Sequence, residues 1–217
     1  MNKTVLITKS SHGLGPTIAE SLVKNGCNVI IHYNKNQAQA NTLVKRLGNQ
    51  NAIAVQADPK KKKDMNILIK LATKHFGQID AIVNNELIVH NTIPFQSDHL
   101  KSLDNITKQL LNQFIIQKNG SIINLHNSNQ INTHDNPELS TLITHFTNNL
   151  ALEHKNKGIR ANSISSMMTE ECLLKSTPVR QDITEIVSFL ISDNSKNVTG
   201  KNITIENKKY EYNKKEQ

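Results

Sequence analysis

Short apolar runs alternate with stretches of helical periodicity from one end of this chain to the other, and that alternation leaves few folds open. A strand covered on both faces reads as a continuous apolar run, whereas a crossover helix spaces its apolar residues by three and four. Both patterns in strict alternation describe a doubly wound α/β fold, a parallel sheet of about seven strands with helices on both faces. Strands are expected at Val5–Ile7, Val29–His32, Ala52–Gln56, Asp80–Val83, Ser121–Leu125, Arg160–Ile164 and Ile203–Ile205. Helices are expected at Pro16–Asn25, Gln37–Leu47, Asp64–Phe76, Leu100–Gln117, Glu138–His154 and Asp182–Ile191. Pro16 suits a first helical position, and Leu139, Leu142, Ile143, Phe146 and Leu150 share one helical stripe. A length of 217 residues accommodates one such domain, residues 1–206, followed by a basic tail, 207–217, that reads as disordered.

Charge and cysteine content exclude several function classes. The formal net charge is +8, but the basic residues gather at Lys60–Lys63 and in the tail at Lys208, Lys209, Lys214 and Lys215, without interleaved aromatics. Such runs read as solvated loops, and no nucleic-acid partner is expected. Two cysteines, Cys27 and Cys172, build neither a disulfide framework nor a zinc ribbon, so free thiols and no metal are expected. The apolar run near the start is only three residues long, and none approaches the roughly 20 residues that span a bilayer. A soluble, cytoplasmic protein without membrane contact is the expectation.

Between the first strand and the first helix lies Thr8-Lys-Ser-Ser-His-Gly-Leu-Gly15, where a glycine-bearing turn brings backbone amides and a helix N-terminus to a pyrophosphate. The segment resembles the Thr-Gly-x-x-x-Gly-x-Gly motif of the short-chain dehydrogenase/reductase family, a Rossmann-type family. Gln56-Ala57-Asp58 is similar to its strand-three adenine contact, and Val83-Asn84-Asn85 to the start of its Asn-Asn-Ala-Gly motif. Gly120-Ser-Ile-Ile-Asn124, Leu150-Ala-Leu-Glu153, Gly158-Ile-Arg-Ala-Asn162 and Val198-Thr-Gly200 extend the likeness over residues 3–206. The resemblance implies a nicotinamide dinucleotide at Thr8, Gly13, Leu14, Gly15, Tyr33, Lys35, Asp58 and Asn84. No Asp or Glu ends the second strand, and Lys35 is placed to pair with a 2′-phosphate, so NADP(H) is expected over NAD(H). Three departures weaken that expectation: Lys9 stands at the motif's first glycine, and Glu86 and Leu87 replace the Ala and Gly after Asn85. A side chain in a left-handed conformation costs on the order of 1–3 kcal/mol, which a phosphate facing Lys9 would offset in part.

The run from His32 to Asn41 is most similar to the pteridine reductase branch, which implies an NADPH-dependent reductase acting on a pterin-like small molecule. Counting back from Leu150-Ala-Leu-Glu153, however, the family's catalytic Tyr and Lys fall on Asn136 and Ser140, its Ser on Asn127, and its helix-four Asn on Asn105. The stretch Asn119–His154 holds neither Tyr nor Lys. Asn136 does not titrate and Ser140 carries no charge, so the proton normally exchanged with substrate has no source there. Three readings stay open: an impaired reductase, a non-enzymatic protein that binds nucleotide or pairs with an active relative, and a residual reductase using His134 or His126 as proton donor. The helix Glu138–His154 is, by the same resemblance, a subunit contact, and a homo-oligomer is expected.

Overall fold

The computed structural model describes residues 2–86, 96–128, 137–168 and 170–206. Seven strands form one parallel sheet in the order β3-β2-β1-β4-β5-β6-β7. They are β1 (Thr4–Ile7), β2 (Asn28–Tyr33), β3 (Ala52–Gln56), β4 (Ala81–Glu86), β5 (Gly120–Asn127), β6 (Ile159–Ser166) and β7 (Asn202–Ile205). The helices are α1 (Gly15–Lys24), α2 (Gln37–Leu47), α3 (Lys62–Phe76), α4 (Gln96–Gln117), α5 (Pro137–His154), α6 (Glu170–Lys175) and α7 (Thr177–Ile191). Every expected strand and helix is present, which bears out the doubly wound class. The six-residue α6 was not anticipated, because its length is too short to show a helical period.

Alternation along each strand divides the core into two layers. Val5, Ile7, Val29, Ile31 and Val83 face α1, α2 and α7, where Ile18, Leu22, Leu43, Val187 and Leu190 meet them. Leu6, Ile30, Val55, Ile82 and Ile122 face the other way, against Met65 and Leu68 of α3 and Leu110 and Phe114 of α4. Full burial of one such aliphatic side chain contributes about 1.5–3 kcal/mol, so the central strands anchor the fold from both sides.

Polar groups close the amino-terminal edge. Asp80 accepts a bond from the Thr4 amide at 2.8 Å. The buried Arg160 guanidinium donates to Leu190 O at 2.6 Å and Ser195 Oγ at 2.7 Å, while Lys3 Nζ donates to Ile191 O at 3.0 Å. Two cations thus sit on the last carbonyls of α7, the negative end of its dipole. Lys3 also pairs with Asp193, whose carboxyl it holds below the usual range. Both cysteines are free thiols, Cys27 buried and Cys172 half-buried, and burial pushes the Cys27 thiol up. The expected tail lies outside the described residues.

Candidate functional site at the carboxyl ends of the strands

The direction of the chain reverses between β1 and β4, since β1 leads through α1 to β2 on one side and β4 through α4 to β5 on the other. A ligand of an open parallel sheet binds in the crevice above such a switch point. The turn that enters α1 is built to leave room there. Gly13 has φ 60°, and a Cβ on Gly15 would lie 2.3 Å from Ser10 Cα, so only glycine permits the turn to close. No side chain caps α1 and no acid occupies its first turn, although the Gly15 amide donates to His12 O at 3.2 Å and Pro16 has no N–H to offer. Leu14, the residue before the helix, is buried and serves the core.

Lys9 adopts φ 49°, the left-handed conformation expected of a glycine position. Of the described residues only Lys118, at the end of α4, is also a non-glycine with positive φ. The strain at Lys9 is held from both neighbouring strands. Its amide donates to His32 Nδ1 at 3.1 Å, and its carbonyl accepts from Asn85 Nδ2 at 3.4 Å. Thr8 Oγ1 accepts from the Asn85 amide at 2.9 Å. The Lys9 ammonium reaches His99 Nδ1 on α4 at 3.5 Å.

At the ends of β2 and β3, Lys35 is exposed just before α2, and Tyr33 is buried in the core with its carbonyl accepting from the Ala57 amide at 3.0 Å. Asp58 organises the β3–α3 turn: its Oδ1 accepts from the Lys60 amide at 3.0 Å, and Lys61 lies 3.6 Å from its Oδ2. Lys60 to Lys63 are all exposed at the head of α3.

The other half of the site rests on a buried polar chain. Asn84 Nδ2 donates to Asn124 Oδ1 at 2.8 Å, Asn124 Nδ2 to Thr147 Oγ1 at 2.8 Å, and Thr147 Oγ1 to Ile143 O at 2.7 Å, joining β4, β5 and α5. Asn127 donates to Met168 O at 2.9 Å, tying the end of β5 to the segment after β6. Ser140 Oγ and His126 Nδ1 share a hydrogen bond of 3.1 Å. Burial pushes His126 down to about 4, so its imidazole is neutral at pH 7. Asn84 Oδ1, Asn85 Oδ1, His126 Nε2 and Ser128 Oγ are buried without hydrogen-bond partners among the described residues. All four stand at the carboxyl ends of β4 and β5, where a ligand or water would complete them.

Asn105 does not join this group in the structure. Its amide donates to Pro59 O at 3.3 Å and Lys60 O at 3.2 Å, so it steadies the turn after β3. Asn136, His134 and Leu87 lie outside the described residues, as does the side chain of Glu86. The contacts of His32 and His99 were not legible in sequence, since a single histidine at a strand end or on a helix carries no periodic signal. No group of His, Cys, Asp and Glu that would hold a metal occurs among the described residues, and no described helix is long and apolar enough to cross a membrane. A depression of about 250 Å³ lined by Asn119, Lys155, Arg160, Asp193 and Lys196 lies at the opposite edge of the sheet. There Arg160 is committed to the α7 carbonyls, and the amino ends of parallel strands are not where such sheets bind ligands.

Comparison with known proteins agrees with this fold. The sequence pattern of the family described as short chain dehydrogenase matches residues 3–181. The 3-oxoacyl-(acyl-carrier-protein) reductase of Staphylococcus epidermidis is 27% identical, over 94% of this chain and 98% of that protein. The diacetyl reductase of the same organism is 29% identical, over 94% and 96%. A solved 3-ketoacyl-(acyl-carrier-protein) reductase from Brucella melitensis, complexed with NADH, superposes with a TM-score of 0.78 at 21% identity, covering 94% of this chain and 96% of that one.

Proposed function

Because the chain belongs to the short chain dehydrogenase family of oxidoreductases, we propose that it binds a nicotinamide dinucleotide, with NADP(H) preferred, and that its proton-transfer chemistry is impaired. The observation that carries this reading is the pair Ser140–His126. A neutral hydroxyl, bonded to a neutral buried imidazole, stands at the position assigned to the catalytic lysine. Asn127, at the serine position, spends its amide on Met168 O. Neither arrangement supplies or accepts a proton near neutrality.

The residues present fit the phosphate half of the cofactor. The Gly13–Gly15 turn and the uncapped α1 N-terminus would hold the pyrophosphate, and Lys35 the 2′-phosphate. Thr8 keeps the turn on β4, while Leu14, Tyr33, Asp58 and Asn84 support the walls of the crevice. When bound, the cofactor supplies a hydride. Without a proton donor beside it, the chain would retain binding while losing turnover.

A low His126 pKa disfavours that residue as a rescuing acid, because an imidazole titrating near 4 holds no proton at pH 7. His134 remains the alternative donor. Descent from a pteridine-reductase-like enzyme draws support from the His32–Asn41 segment, while the relatives above direct attention equally to 3-oxoacyl substrates. A cytoplasmic location accords with both. The competing reading, a subunit that pairs with itself or with an active relative, is favoured by Leu142, which α5 leaves 42% exposed.

Nucleotide fluorescence titration followed by NADPH oxidation assays tests the proposal. NADPH is expected to bind, and turnover of dihydrobiopterin, dihydrofolate or a 3-oxoacyl thioester to stay at background, since loss of a general acid alone costs about 10²–10⁴-fold. Turnover that disappears in His134→Ala or His126→Ala would overturn the impaired reading and establish a histidine donor.

A further inference from the structure

Helix α3 buries Met65, Leu68 and Ala72 in the core, and on its other side Lys63, Ile67, Lys70, Leu71 and Lys74 recur at spacings of three and four and are all exposed. Ile67 is 45% exposed and Leu71 48%. A lone exposed aliphatic residue is ordinary, but two that stand one turn apart among lysines make a patch. From Lys60 to Phe76 the chain holds six lysines, Lys60–Lys63, Lys70 and Lys74, against one acid, Asp64, whose carboxylate accepts from the Asp58 amide at 3.1 Å. Arg46 of α2 finds Glu20, and Lys108 of α4 finds Asp104 at 2.7 Å. Among the described residues, Lys63, Lys70 and Lys74 have no such pair.

We infer that the outer face of α3 is a docking surface for an acidic protein partner, whose contacting segment carries carboxylates around a few aliphatic side chains. Charge complementarity selects that occupant. A second copy of the same face would set lysine against lysine. A nucleic-acid backbone would neutralise the lysines but bring nothing apolar to Ile67 and Leu71. A bilayer takes up the apolar side of an amphipathic helix, and that side of α3 is already buried in the core. Carboxylates steer an acidic protein to the lysines, and its aliphatic groups cover the two that α3 exposes. The inference stands whether or not the crevice binds a dinucleotide, since none of these five residues belongs to it.

The test uses the full chain and, as probe, a fluorescently labelled helical peptide with glutamates and leucines on one face, titrated by anisotropy at low and high salt while hydrogen exchange maps the contact. Micromolar binding that protects α3 and weakens with salt is expected. Lys70→Glu/Lys74→Glu is expected to weaken it about 10-fold or more, and Ile67→Ser/Leu71→Ser about 5-fold. The control Lys24→Glu/Lys45→Glu makes the same charge change at exposed positions of α1 and α2, on the opposite face of the sheet, and is expected to alter affinity by less than about 3-fold. All substituted positions are exposed, so the core is left intact. An equal loss in the control would overturn the inference, because net charge alone would then explain binding. Unchanged affinity in Ile67→Ser/Leu71→Ser, protection that avoids α3, or no binding at all would overturn it as well. Tighter binding of a single-stranded RNA or of phosphatidylglycerol vesicles through Lys70 and Lys74 would replace the acidic protein with that class of partner.

Discussion

The Lys9 amide donates to Nδ1 of His32, at 3.1 Å, and this bond determines the protonation of a buried histidine as well as the shape of a turn. Since Nδ1 accepts, the ring proton resides on Nε2, which donates to Ala57 O at 3.1 Å. One neutral imidazole therefore holds the β1–α1 turn to the ends of β2 and β3. His32→Ala leaves the Lys9 amide and the Ala57 carbonyl without that partner, and a loss of about 1–3 kcal/mol is expected in urea unfolding. His32→Gln, which keeps one acceptor and one donor, should recover part of it.

Lys35 is exposed just before α2, no acid ends β2, and the proposed function assigns this lysine to a 2′-phosphate. NADPH is therefore expected to bind more tightly than NADH, and Lys35→Glu to reverse the order through charge repulsion. Equal affinities for the two cofactors, or an unaltered ratio in the variant, would remove Lys35 from the site.

His126 links stability to pH. Its pKa falls from 6.5 to about 4 on folding because burial penalises the imidazolium. Below pH 6.5 the unfolded chain takes up a proton that the folded chain refuses, so this contribution is complete above pH 6.5, declines as pH falls towards 4, and changes no further below that. The span corresponds to roughly 3 kcal/mol. Burial lowers His154 as well, in the same sense. Urea midpoints measured between pH 7.5 and 4.5 should fall less steeply in His126→Ser than in the wild type, and parallel curves would show that His126 is not the titrating group.

Helix α5 presents Leu142 to solvent and Phe146 half-buried, while Leu139, Ile143 and Leu150 from the same stripe are buried. The division follows helical geometry, with one edge of the stripe, and Phe146 beside it, packed on the protein's own core and Leu142 on the exposed edge. A self-association interface burying over ~1,000 Å² would keep the protein dimeric or tetrameric at micromolar concentration. Sedimentation is expected to show that state and Leu142→Glu to dissociate it. A monomer across the whole range, with no association to an active relative, would exclude both forms of the subunit reading.

The strands and helices were legible because their signal is local and periodic. Gln37–Leu47 and Ala52–Gln56 agree with the structure residue for residue. Burial on both faces makes a parallel strand apolar throughout, and burial on one face gives a helix its stripe, whatever the rest of the chain does. Strand ends were read too short at β4, β5 and β6, where Asn84, Asn85, His126, Asn127 and Ser166 continue the ladder although their side chains are polar. Those extensions reach the candidate site, and polarity concealed that Asn84, Asn85 and Asn127, singled out by motif, belong to strands.

By itself, then, the amino-acid sequence determined the doubly wound class through its apolar pattern, and through residue identity the position of the glycine turn and the absence of Tyr and Lys between Asn119 and His154. Tertiary structure alone decided which polar side chains meet. Lys9 finds His32 across 23 positions and His99 across 90, Asn105 turns to Pro59 across 46, and His126 meets Ser140 across 14. Such partners are brought together by the order of strands in the sheet. A polar residue whose contact lies on another element leaves no period along its own, so its role emerges only when the layers close around it.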